Sequence, residues 1–179
     1  MMHNDYYRYA ANYYNAACML FDRERDREFN SIHVFGPVTL CIGHAFELTL
    51  KAYIIENNRS CEHGHDIKYF FDKCINDSLI DIESLGQRAR LSCPIEFSPH
   101  WLMTKAIALG FPKSKDGTIF NLNTQVASLS QNFFKSLKGD VAGKKFLARY
   151  PEKNFPHHKY DIELILSAIR LLLEDKKQD

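Results

Sequence analysis

Residues 43–66 read Gly43-His44-Ala45-Phe46-Glu47-Leu48-Thr49-Leu50-Lys51-Ala52-Tyr53-Ile54-Ile55-Glu56-Asn57-Asn58-Arg59-Ser60-Cys61-Glu62-His63-Gly64-His65-Asp66. Up to Glu56 the stretch reads as a long helix, apolar on nearly every side. At about 100° per residue, His44, Glu47 and Lys51 fall within about 60° of one another and make a single narrow polar stripe. Val38, Ile42, Ala45, Phe46, Leu48, Leu50, Ala52, Tyr53, Ile54 and Ile55 surround it with apolar surface. A helix that is apolar almost all round belongs in the middle of a bundle. Polar groups buried there must be paired or put to use, because leaving them unpaired carries a penalty of about 2 kcal/mol or more each.

Working outward, Gly36-Pro37 is read as the start of this helix, since proline lacks an N–H that the first turn has no acceptor for. Asn57-Asn58 suits a left-handed exit after Glu56. Asp66 then reads as the N-cap of a further helix whose apolar stripe is Ile67, Phe70, Phe71 and Ile75. Upstream, Tyr6, Ala10, Tyr13, Ala17 and Leu20 recur at spacings of three and four, which predicts a helix from Asp5 to about Phe29 with that face buried. Its end, Arg23 to Glu28, alternates in sign and reads as solvated turns.

Downstream, a helix is expected over Ser84 to Leu91, another over Leu122 to Leu137 with Val126, Leu129, Phe133 and Leu137 inward, and a last one carrying Ile162, Ile165, Leu166, Ile169 and Leu173. Residues 92–121 break the pattern, with a short helix expected over Trp101 to Leu109 and strand-like pieces at Ile95–Phe97 and Thr118–Phe120. They read as an insertion on an all-α, up-and-down helical bundle occupying residues 1–179 as one domain.

Composition bounds the function classes. The 179 residues carry 23 Lys and Arg against 22 Asp and Glu, so no global charge imbalance advertises nucleic acid or membrane. Five cysteines, an odd number without repeating spacing, fit a reducing cytoplasm better than a disulfide framework. The amino-terminal residues lack the pattern of a signal peptide. No uninterrupted apolar run approaches the roughly 20 residues that span a bilayer, so no membrane association is expected.

Three constellations carry chemistry. The His44, Glu47, Lys51 stripe reads either as an i,i+4 ion pair with a histidine satisfied nearby, or as the polar wall of a groove in which Lys51 meets phosphate and Glu47 orients it. Arg59 and His65 place a guanidinium and an imidazole on the same short loop. Cys61, His63 and His65, with His157 and His158, have metal-type side chains, yet the loop offers no convincing fourth ligand and no metal or other cofactor is expected.

The same residues resemble the HEPN (higher eukaryotes and prokaryotes nucleotide-binding) domain family. The resemblance rests on Glu47, on Leu50-Lys51-Ala52, on the His65-Asp66-Ile67 step and on Arg149-Tyr150-Pro151 ahead of the last helix. His44 stands where many members carry a polar residue. The resemblance implies an all-helical bundle that pairs as a homodimer. It implies ligand-binding roles for His44, Glu47, Lys51, Asp66, Arg149 and Tyr150, with a nucleotide, RNA or a partner protein as ligand. It also implies a prokaryotic toxin–antitoxin or defence setting in which the partner is a small nucleotidyltransferase. Its RNA-cleaving members imply the alternative, a metal-independent endoribonuclease using Arg59 and His65, although Ser60 replaces the more strongly polar residue that usually follows the arginine. A dimeric module without chemistry is the third reading, since a fold hosts many functions.

Overall fold

The computed structural model describes residues 2–25, 32–92, 121–137 and 161–176. They form helices α1 (Met2–Arg25), α2 (Ile32–Glu56), α3 (Ile67–Asn76), α4 (Ile82–Ser92), α5 (Leu122–Leu137) and α6 (Ile162–Asp175). Among the described residues there is no strand. The fold is an all-α helical bundle, as the periodicity predicts. The expected short helix over Trp101 to Leu109, the strand-like pieces at Ile95–Phe97 and Thr118–Phe120, and the Arg149-Tyr150-Pro151 motif lie outside the described residues.

α2 is the hub. It packs along α1 and also touches α3, α5 and α6, while α4 lies against α6 and α5. Phe46, Leu50, Ile54, Phe70, Phe71, Leu129, Phe133, Leu164 and Ile165 are fully buried in one continuous core drawn from these helices. By length and composition Gly36–Glu56 could cross a membrane, yet 67% of its apolar window is buried inside the bundle. That is the pattern of a core helix.

Two local expectations are corrected. α2 starts at Ile32, not at Gly36-Pro37, so Pro37 lies inside the helix. It is the sixth residue of the helix, exposed to solvent and past the first turn, so the helix forgoes one backbone hydrogen bond there. In α1 the expected face is kept at Ala10, Ala17 and Leu20, but its tyrosines are the wrong ones: Tyr7 and Tyr14 pack against the core beside buried Phe21, whereas Tyr13 is 38% exposed. Tyr6/Tyr13 and Tyr7/Tyr14 share the same seven-residue spacing, so periodicity alone cannot choose between them. Partners choose. Tyr7 Oη donates to Glu56 at 3.0 Å.

The joints follow from capping chemistry. Asn58 leaves α2 at φ 55°, the left-handed exit its amide side chain tolerates. Asp66 caps α3, its Oδ1 accepting from Tyr69 N at 3.2 Å. Asp161 caps α6 by accepting from Leu164 N at 2.9 Å, and its own N–H donates to Gln125 Oε1 at 2.8 Å. Burial pushes the Asp161 carboxyl above its ordinary range, against the pull of the backbone donors.

Candidate functional site

The polar stripe of α2 closes on the loop that follows it. Glu47 is 2% exposed, so its carboxylate needs partners. Lys51 supplies the first, one helical turn away, with Nζ 2.5 Å from Oε1. The same ammonium donates to the Gly64 carbonyl at 2.7 Å and lies 4.9 Å from the centre of the Phe70 ring. Lys51 therefore staples the 57–66 loop to α2 through two acceptors and a ring face. The sequence announces the pair with Glu47; the Gly64 carbonyl is a backbone acceptor that no residue-type pattern reveals.

His65 supplies the second partner. Its Nδ1 lies 3.1 Å and 3.2 Å from the two Glu47 oxygens. A carboxylate only accepts, so Nδ1 carries the hydrogen and the pair leaves Nε2 on the opposite edge of the ring. The side chain is 56% exposed, which leaves the far edge of the ring open to solvent. The result is an imidazole fixed in orientation by a buried carboxylate, with more than half of the side chain at the surface.

His44 completes the rim. Its Nδ1 is 3.9 Å from Glu47 Oε2, its ring stacks on Tyr13 at 4.9 Å and 30°, and it meets the Phe133 edge at 5.0 Å. Burial lowers its proton affinity below that of an ordinary histidine, against the opposing pull of Glu47. The Tyr13 contact was not foreseen, because it depends on which face α1 turns inward.

The remaining predicted residues are placed differently. Asp66 does not join the Glu47 cluster. Besides capping α3, its Oδ1 accepts from Ser130 Oγ at 2.8 Å, and Ser130 Oγ in turn accepts from Lys68 N at 3.2 Å. That chain ties the start of α3 to α5. Arg59 is exposed at the opening of the loop, and its backbone N–H donates to Ile54 O at 3.0 Å. Arg149 and Tyr150 lie outside the described residues. Among the described residues no group of three or more His, Cys, Asp or Glu side chains is arranged to hold a metal ion.

The cysteines among the described residues offer little chemistry. Cys18, Cys41, Cys61 and Cys74 are free thiols. Cys74, buried against α2, is pushed up to about 12, and burial also raises Cys61 on the loop. Thiols held protonated in this way are poor nucleophiles.

The cluster thus has two layers. Glu47 and Lys51 form a buried framework, and His65 and His44 lie above it at or near the surface. The framework fixes positions; the upper layer is what a ligand can reach. Compared with models of known families, with functionally described proteins and with solved structures, the chain matches none.

Proposed function

We propose that this protein is a HEPN-like binding module that takes RNA or a nucleotide at the rim of His65 and His44, above the Glu47–Lys51 framework, with Arg59 of the following loop recruited to the ligand. One observation carries the proposal: a buried carboxylate holds His65 by Nδ1 while more than half of the imidazole faces solvent. A histidine that served packing alone would have little reason to be oriented from beneath and open above. Arg59 shares the same exposed loop and is suited to a bidentate phosphate contact. The family resemblance supports this ligand class and, with it, a homodimer acting beside a small nucleotidyltransferase in a toxin–antitoxin or defence setting.

The test is anisotropy titration of labelled single-stranded RNA, in parallel with a thermal-shift series in adenine and guanine nucleotides. Arg59→Ala and His65→Ala each weaken binding about tenfold, the loss of one charge-assisted contact of about 1.4 kcal/mol. Binding also weakens steeply with salt. Wild-type protein that binds no RNA or nucleotide, or variants that bind as well as wild type, would overturn the reading.

The Glu47–His65 dyad favours one alternative, metal-independent endoribonuclease action. In that reading His65 Nε2 removes the 2′-OH proton, the oxygen attacks the adjacent phosphorus, and the 5′-oxygen leaves with a proton, giving a 2′,3′-cyclic phosphate and a 5′-OH. Arg59 would stabilise the charged phosphorane. Incubation in EDTA separates the readings. Cyclic-phosphate products that disappear in both His65→Ala and Glu47→Gln favour the ribonuclease, and intact RNA that stays bound favours the module.

A further inference from the structure

α1 turns a stripe of aromatic rings outward. Tyr6, Tyr9 and Tyr13 follow one another at three and four residues, which puts them on one face. Tyr9 is 51% and Tyr13 38% exposed. With Asp5 and Leu48 of α2 they line an open trough of about 280 Å³. That volume lies just below the ~300 Å³ at which ligand clefts for drug-sized molecules begin, so it suits one small planar group.

The trough is continuous with the polar rim. Tyr13 stacks on His44 at 4.9 Å, His44 Nδ1 lies 3.9 Å from Glu47, and Glu47 holds His65 at 3.1 Å. At the other end, Arg8 lies 5.4 Å from the centre of the Tyr9 ring and pairs with Asp5 at 3.4 Å. Opposite charges meet there, so that end of the trough suits an uncharged ring. The end beside the imidazoles is where a phosphate would be met.

From this geometry we infer that the trough of Tyr6, Tyr9, Tyr13 and Leu48 is a nucleobase subsite, stacking a base of a single-stranded RNA whose backbone runs toward His44 and His65. The inference rests on the RNA-binding reading above and adds a subsite to it. Tyrosine faces stack any base without sequence preference, each stack strengthening binding about tenfold. A second copy of the chain is the competing occupant, and the experiment below separates the two.

The experiment compares an oligoadenylate decamer with a decamer of the same backbone that lacks bases, by anisotropy, on full-length protein. Wild type should prefer the base-bearing strand about tenfold or more. Tyr9→Leu/Tyr13→Leu should erase that preference, while Tyr9→Phe/Tyr13→Phe, which keeps the rings, should retain it. Circular dichroism checks that the leucine pair is folded; if it is not, Tyr9→Leu alone, at the more exposed position, should still reduce the preference severalfold. Leucine variants that keep the full preference refute the subsite, and if binding still depends on His65 and Arg59 the wider reading survives. Loss of wild-type binding to either strand removes both. A leucine pair that converts a dimer to a monomer while RNA affinity is unchanged identifies the face as a contact between copies and refutes the subsite.

Discussion

Replacing Glu47 with alanine tests the framework on which the candidate site is built. The substitution leaves the Lys51 ammonium, whose side chain is 12% exposed, with the Gly64 carbonyl and the Phe70 ring as its remaining partners. Removing one member of a fully buried pair costs about 3–5 kcal/mol, whereas a solvated i,i+4 pair is worth about 0.3–0.5 kcal/mol. Side-chain exposures of 3% and 12% place this pair near the buried limit. The surviving carbonyl bond and the exposed imidazole of His65 bring the expected loss to about 3 kcal/mol. For a chain of 179 residues that corresponds to a melting temperature about 6–12 °C lower. Urea unfolding followed at 222 nm measures it. The double substitution Glu47→Leu/Lys51→Met should recover most of the loss, because an apolar pair of similar volume removes both desolvated charges. It should still fall short of wild type by about 1 kcal/mol, the bond from Lys51 to Gly64. A Glu47→Ala loss below about 0.5 kcal/mol, with no coupling in the cycle, would mean that the pair is solvated and the framework does not exist.

Three further outcomes follow from the geometry. A Cβ added at Gly43 would lie 2.1 Å from the Phe133 ring, so Gly43→Ala should destabilise by about 1–3 kcal/mol or more and Gly43→Ala/Phe133→Leu should recover part of it; equal melting temperatures for wild type and Gly43→Ala would contradict the close approach. Burial depresses the His44 proton affinity, so the unfolded imidazole, near 6.5, takes up protons that the folded one resists. Stability is therefore fully present above about pH 6.5 and falls as the pH drops below it; His44→Phe should flatten that slope in denaturant titrations between pH 7 and about pH 5. Asp161 titrates in the opposite sense, its buried carboxyl raised in the fold, so its ionisation removes stability as the pH rises through the carboxylate range. Asp161→Asn, which keeps an accepting oxygen, should match or exceed wild type at neutral pH, while Asp161→Ala should lose about 1 kcal/mol of cap.

Within a single helix, angular spacing is a local property. It was enough to place α3, α5 and α6, to set Glu47 and Lys51 on one stripe, and to identify Asp66 as a cap. At α1 the same reasoning placed Ala10, Ala17 and Leu20 inward but chose the wrong tyrosines, which repeat every seven residues on two adjacent faces. Only the packing of α1 on α2, with Tyr7 reaching Glu56, selects the face and leaves Tyr9 and Tyr13 outside. The start of α2 was misplaced because proline is favoured in a first turn but is not confined to it.

What the chain determined by itself is therefore the set of helices and a charged stripe on the most apolar of them, because periodicity and capping depend on near neighbours. Tertiary structure decided which groups meet that stripe. Gly64 offers a carbonyl that any residue would carry, and His65 stands 18 positions from Glu47. Ser130 comes from a helix 64 residues beyond Asp66, and Tyr13 reaches His44 only through the choice of face on α1. Contacts of this kind depend on distances between elements, and a one-dimensional pattern does not encode distances.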